Sequence, residues 1–358
     1  YRTALLPALL VVVVVMFSLD EHPAALVPAL APEAFSEQGA DTTARELIDR
    51  FPDRRPGSDD DEAAAELVRG RFESLGFETS RDRFEAPVKG EDVTMTNVQG
   101  TLRGPSDRQV VLLAHRDAGR SPGAASASGT GVLLEFAAAL EGLRHRKTFV
   151  FVSTDGGTAD AAGARRFAQR YPEKEKIDAA LVLDDIGAAN SRRPYLVPWS
   201  TDSRRGSLQF LRTADAAVRR EAGSGAGMES WVGQFIHQAW PVALREQGPL
   251  VREGLDAVTL TAHGGLPRGS SGDLPGRISR LRLREFGKAA FATALAVDAS
   301  AGVEASPRRY ITVGRQVIPG WAISLLSLAL LLPVAVASVD GFARARRRGL
   351  PVERWIRW

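Results

Sequence analysis

The chain reads as an α/β protein, a mainly parallel central sheet with helices on both faces, flanked by transmembrane helices. Three observations predict this. Apolar runs of strand length alternate with segments of helical spacing through the middle of the sequence. Uncharged apolar stretches, Thr3–Leu19 and Val317–Val339, bracket that body. The composition, 44% hydrophobic and 25% charged over 358 residues, is that of a globular body with accessory segments.

Thr3–Leu19, centred on the run Leu9–Val15, is at the short end of what crosses a bilayer. Ala29-Leu-Ala31 offers the small-x-small site of a cleaved leader. Asp20, Glu21 and His22 separate it from the apolar run, which favours an uncleaved anchor. Ser58-Asp-Asp-Asp-Glu62 is an N-cap cluster whose carboxylates suit the positive end of a helix. Ala64, Leu67, Val68, Phe72 and Leu75 follow with helical spacing, and Gly76 supplies the stop. Phe77–Phe84 and Val93–Leu102 read as antiparallel strands and Val110–Ala114 as a buried one. Helices over Gly131–Leu143, Ala161–Arg170, about Ser207–Arg220 and Leu281–Val297 interleave with strands at Thr148–Val152, Ala179–Leu183 and Ala257–Thr261.

Val317–Val339 is the clearer span, with Trp321 near one edge and Arg344, Arg346, Arg347 and Arg348 beyond it. Arginine marks the cytoplasmic side, and Arg2 before the first span gives the same sense, so the body lies outside the cytoplasm. The expected division is an anchor (1–19), a linker (20–43), the α/β domain (44–300), a linker (301–316), a transmembrane helix (317–339) and a basic cytoplasmic tail (340–358). The net charge of +3 and a pI near 9.4 trace largely to that tail, a topology signal rather than a nucleic-acid surface. With no cysteine, disulfides and thiolate metal sites are excluded, so any metal must use His and carboxylates. Abundant alanine and arginine suit a GC-rich bacterial genome. A start at Tyr1 and a stop at Trp358 read as a fragment of a longer protein, with more spans to follow.

Ligands bind such sheets beyond the C-terminal ends of the strands, where His115 and Asp184 both fall. In Val110-Val-Leu-Leu-Ala-His115-Arg-Asp117 a buried strand ends in His-x-Asp, an imidazole with a carboxylate placed to orient it. The following loop, Pro122–Gly129, contains no carboxylate. Gly223-Ser-Gly-Ala-Gly227 has neither the preceding strand nor the lysine of a phosphate loop. Ser126, Ser128, Ser270 and Ser271 sit in no Gly-x-Ser-x-Gly elbow. Trp231, Phe235 and Trp240 read as an insertion packed on the body, or else as a partner surface.

With these residues in place, the body from Ala44 to Ala299 resembles the zinc-dependent exopeptidase superfamily of aminopeptidase Y, glutamate carboxypeptidase II and the transferrin-receptor ectodomain. Arg54-Arg-Pro-Gly-Ser58, Phe72-Glu-Ser-Leu-Gly76, Asn97-Val98 and the His-x-Asp carry the resemblance. It implies a zinc-exopeptidase-like fold and a site of five metal ligands and a glutamate base. By that resemblance His115 matches the first zinc-ligating histidine, Asp117 its orienting partner, and Asp184 the first site's carboxylate. The bridging aspartate falls on Ala125 or Ser126, the Glu-Glu pair on Gly157 and Thr158, and no histidine precedes Asp273 in Arg268–Asp273. His263 is the candidate to rescue a metal site. Asp155 and Asp160 read as solvated loop or cap residues, and Asp185, if extended, points away from Asp184.

The expected function is therefore that of a membrane-anchored, extracytoplasmic aminopeptidase-fold protein, a degenerate member without catalysis. It would carry no cofactor and act as a binding or assembly domain, with a peptide or protein partner in the former cleft and no nucleic acid. The alternative is an active metallo-aminopeptidase with a rearranged or single-metal zinc site on His115, Asp184 and His263. A purely structural spacer is a third reading.

Overall fold

The computed structural model describes residues 2–17, 19–27, 32–119, 123–187, 189, 193–262, 264 and 278–349. The helices are α1 (Arg2–Phe17), α2 (Glu37–Arg50), α3 (Asp59–Ser74), α4 (Ala124–Glu141), α5 (Ala162–Arg170), α6 (Leu208–Ala222), α7 (Trp231–Ala239), α8 (Gln247–Arg252), α9 (Arg280–Ala299) and α10 (Gly320–Arg347). The strands are β1 (Asp20–Glu21), β2 (Glu78–Val88), β3 (Glu91–Leu102), β4 (Ser106–His115), β5 (Lys147–Thr154), β6 (Ile177–Asp184), β7 (Tyr195–Val197), β8 (Ala257–Thr261), β9 (Tyr310–Val313) and β10 (Gln316–Pro319). The chain divides into two units, Pro23–Arg308 and a smaller one made of Tyr1–His22 and Arg309–Trp358.

The larger unit is built on a seven-stranded sheet ordered β2-β3-β5-β4-β6-β8-β7. β5, β4, β6 and β8 run parallel, while the β2–β3 hairpin and β7 flank them antiparallel. Both faces are covered, as the apolar strands require. Val111, Leu113, Val150, Val152, Ala180 and Val182 pack with residues of α5 and α8. The alternate positions Phe149 and Phe151 meet Phe136 of α4 on the opposite face, and Phe136 in turn stands edge-on to Phe291 of α9 at 4.5 Å between ring centroids. The four parallel strands therefore end together, and β4 and β6 deliver His115 and Asp184 side by side.

Serine caps set the helix starts. Ser36, Ser58, Ser207, Ser230 and Ser279 each accept a backbone N–H from the first turn of α2, α3, α6, α7 and α9. α4 departs from the sequence expectation, starting at Ala124 instead of Gly131, so the glycine- and serine-rich stretch is helical. Its glycines serve close packing. A Cβ on Gly129 would lie 2.6 Å from the Leu183 carbonyl oxygen of β6, and one on Gly131 2.5 Å from that of Ala40 in α2. Short pieces that the apolar periodicity did not announce, α2, β7, α7 and α8, complete the unit.

Buried Arg54 ties three elements together at the mouth of the sheet. Its guanidinium donates to the carbonyls of Leu47 and Phe51 at the end of α2, Arg116 after β4 and Gly123 before α4. One planar donor fork thus serves four carbonyls at the ends of three elements.

In the smaller unit β1, β10 and β9 form an antiparallel sheet. α10, 28 residues long, is long and apolar enough to cross a membrane, and its last turn carries Arg344, Arg346 and Arg347. It begins at Gly320, because Val317–Pro319, expected within the span, belong to β10. The 16-residue α1 is shorter, spanning ~24 Å at 1.5 Å per residue.

Gly129→Ala should lower unfolding stability by about 1–3 kcal/mol, since its new methyl meets a backbone atom that cannot yield. Gly70→Ala, at an open position in α3, should raise it by about 0.5–1 kcal/mol. Chemical denaturation of the two variants checks the contrast.

Candidate functional site

His115 is the last residue of β4 and Asp184 the last of β6, each with a side chain only slightly exposed, at 11% and 14%. The imidazole is held from both sides. Nδ1 lies 3.1 Å from the Asp117 carbonyl oxygen and 3.4 Å from its Oδ1, and Nε2 lies 3.5 Å from Asp184 Oδ1. Fully buried Asp117 also accepts the N–H of Gly157 at 2.7 Å, the N–H of Thr158 at 2.9 Å and the Thr158 hydroxyl at 2.5 Å. One carboxylate thus orients His115 and closes the loop after β5.

That loop is built around a side chain it lacks. A Cβ on Gly157 would fall 2.7 Å from His115 Nδ1 and closer still to its Cβ and Cγ. Only glycine lets the ring occupy this place. On the other side, the second oxygen of Asp184 pairs with the Arg245 guanidinium, which is almost fully buried. Arg245 comes from the segment before α8 and also reaches the Gly264 carbonyl. Beside it Glu246 is buried, with Oε1 accepting from Thr154 Oγ1 and Oε2 without a hydrogen-bond partner.

The charges follow from this packing. Burial opposes an imidazolium at His115, but the Asp117 carboxylate and the neighbouring Glu246 outweigh it and raise His115 to about 9. Burial pushes Glu246 up to about 7, against the pull of His115. Burial draws Arg245 down to about 10, which leaves it cationic against Asp184 at neutral pH. Burial would also raise Asp117, yet the hydrogen bonds from His115 and Thr158 hold it below the usual carboxylate range.

A second buried ionic cluster lies behind the first. Arg116 donates to Asp61 Oδ2 and to the Thr96 and Ser153 carbonyls, with Asp155 3.8 Å away. Asp155 is therefore not the solvated loop residue its sequence position suggested. It is 1% exposed and accepts the N–H groups of Gly57 and Thr96. Burial raises both Asp61 and Asp155 against the pull of Arg116.

Of the expected site residues, the structure brings His115, Asp117 and Asp184 together, while His263 lies outside the described residues, as do Ser270, Ser271 and Asp273. Asp160 is exposed, and Asp185, with a left-handed φ of 50°, is buried. The Ser126 and Ser128 hydroxyls are spent on the carbonyls of Gly123 and Ala125. Arg245, Glu246 and Arg116 are charged residues that sequence reasoning passed over, and Asp61, read there only as part of a helix N-cap cluster, is Arg116's buried partner. Arg245-Glu246 stands in no recognisable motif, and only an arginine in an otherwise apolar stretch could have drawn attention to it.

Comparison with known proteins fits this geometry. Residues 97–228 match the model of Peptidase family M28. The match supports the M28 family, whose zinc aminopeptidase and glutaminyl cyclase-like fold is the one described above. The alkaline phosphatase isozyme conversion protein of Escherichia coli (strain K12) is 25% identical over 170 residues, 40% of this chain and 49% of that protein. The alignment thus spans about half the length of that relative. Among solved structures, the aminopeptidase from Aneurinibacillus sp. strain AM-1 matches with a TM-score of 0.61 at 14% identity, covering 79% of this chain and 98% of its own. BSAP, a zinc aminopeptidase from Bacillus subtilis, gives 0.59 at 14%, covering 72% and 94%. A glutaminyl cyclase from an Acidobacteriales bacterium gives 0.57 at 20%, covering 77% and 97%. At these identities the likeness is one of fold.

The described residues do not form a zinc site of the kind that the resemblance implies. Among the described residues no group of three or more His, Asp or Glu is placed to hold a metal. Asp184 is committed to a guanidinium, and the His115 ring occupies the space that a side chain at position 157 would need. A catalytic zinc site normally takes three protein ligands.

Two outcomes are expected. His115 should titrate near 9 by NMR, and Asp117→Asn should bring it down toward its ordinary 6.5. Because the folded value is raised, the stabilisation is complete below pH 6.5 and is lost as pH rises through 9, a loss of about 3 kcal/mol at most. Gly157→Ala should destabilise the protein by about 1–3 kcal/mol, read as a lower denaturant midpoint, by displacing the ring.

Proposed function

We propose that this chain is a membrane-anchored, extracytoplasmic protein of the M28 fold that does not hydrolyse peptides and serves as a binding or assembly domain. One observation carries the reading: Asp184 pairs with the Arg245 guanidinium, and the His115 ring fills the space that a side chain at Gly157 would need. A buried guanidinium supplies the positive charge that a carboxylate at a strand end demands, but it cannot lower the pKa of a water or accept one as a ligand.

A cavity of about 260 Å³ opens beside Arg245, lined by Tyr195, Trp199, His237 and Leu244 among others. Aromatic walls with Glu229 as well as Arg245 in the lining suit a peptide or protein segment better than nucleic acid. The anchor reading rests on α10 and the arginines of its last turn, which mark a cytoplasmic end.

The test is hydrolysis of a panel of aminoacyl-nitroanilides and short peptides by the purified full chain with added zinc, with His115→Ala as control. Rates of the wild type and the variant should coincide at background. Strong hydrolysis that His115→Ala abolishes and a chelator suppresses would instead establish the metallo-aminopeptidase.

A further inference from the structure

The insertion between α6 and α8 carries a helix that is inside out. In α7 the residue buried against the body is Gln234, whose side chain accepts from Arg205 at 2.9 Å and donates to the Glu229 carbonyl at 3.1 Å. His237 on the same side bonds Glu229 at 2.7 Å and stacks on Trp199 at 4.6 Å between centroids, and Arg205 also lies over the Trp199 ring. The outward residues are the apolar ones. Trp231 is 62% exposed, Phe235 49% and Ile236 58%, and the patch runs on through Trp240 at 77% and Leu244 at 55%. This corrects the expectation that the aromatics pack on the body. A helix in water turns its apolar stripe inward; this one anchors its polar groups inward and presents the stripe to the outside.

We propose that this patch, residues 231–244, inserts into the interfacial region of the lipid bilayer in which the chain is anchored. The proposal rests on the membrane-anchor reading above. Four observations select lipid over a second copy or another protein. The polarity is inverted, as a lipid-facing surface requires. From Ser230 to Leu244 the sequence has no Asp, Glu, Lys or Arg, whereas a protein interface carries a polar, charged rim. Trp231 and Trp240 bound the stripe, and tryptophan favours the headgroup level. Finally, the body ends at Arg308 and the chain passes at once into the unit that carries α10, so the body is tied to the membrane surface. An apolar helix face lying in that plane sinks ~5–10 Å, to the boundary of headgroups and acyl chains.

The chain has no cysteine, so single cysteines can carry an environment-sensitive fluorophore. The full chain is reconstituted into phosphatidylcholine vesicles with labels at Ile236→Cys or Trp240→Cys. Glu91→Cys, at the β2–β3 turn, and Leu328→Cys, in α10, serve as controls. Lipid-borne nitroxide and aqueous iodide are the quenchers. The labels at 236 and 240 should be blue-shifted, lose most of their fluorescence to the lipid quencher and resist iodide, while the label at 91 does the reverse. If 328 is lipid-quenched but 236 and 240 answer only to iodide, the inference fails and the anchor stands. Labels at 236 and 240 protected from both quenchers would mean that protein covers the patch, which also overturns it. If 328 itself escapes the lipid quencher, the anchor reading fails and takes this inference with it.

Discussion

A carboxylate at the nearly closed end of a parallel strand stays ionised at low cost only beside a positive charge, and at Asp184 that charge is the Arg245 guanidinium. Much of the surrounding arrangement follows from this pair. With one oxygen of Asp184 engaged by arginine, the other faces the His115 ring, which is fixed in turn by Asp117. Asp117 can do so only because Gly157 and Thr158 donate their N–H groups to it, and their loop can approach only because position 157 has no side chain. The cluster is a closed circuit of complementary charges, and removing one member leaves another buried and unpaired, which is costly.

The same economy operates one layer deeper. Arg116 neutralises Asp61 and shares its field with Asp155, and Arg54 gathers the carbonyls of three chain ends. Three buried arginines thus hold the mouth of the sheet, in a fold whose relatives in this region include zinc aminopeptidases. At the strand ends the described residues present a His-x-Asp beside Asp184, and the charge next to Asp184 is a guanidinium. This separates architecture from activity: the M28 fold is set by apolar strands and small-residue packing, and the chemistry by a handful of strand-end groups.

Much of the architecture was legible because its signals are local. The runs Val110–Ala114 and Thr148–Val152, the cap at Ser58 and the stop at Gly76 each declare an element within a few residues. The convergence of His115, Asp117 and Asp184 could be read from strand ends. What stayed hidden depends on contacts distant in sequence. Gly129 read as a loop residue because a sequence cannot reveal that the Leu183 carbonyl presses on it. Asp155 read as solvated because its partners Arg116, Gly57 and Thr96 lie 39 to 98 residues away. Arg245 is 61 residues from Asp184 on an insertion with no periodic signal. α7 was missed for a related reason: its polar residues face the body, so inward packing is the wrong rule for it.

The central claim is that arginine, not a metal, provides the charge at Asp184. It is tested most directly by elemental analysis of the purified full chain, stripped and then reloaded with zinc, against His115→Ala prepared in the same way. The account predicts zinc no higher than the variant's background. Near-stoichiometric zinc that disappears in His115→Ala would contradict it.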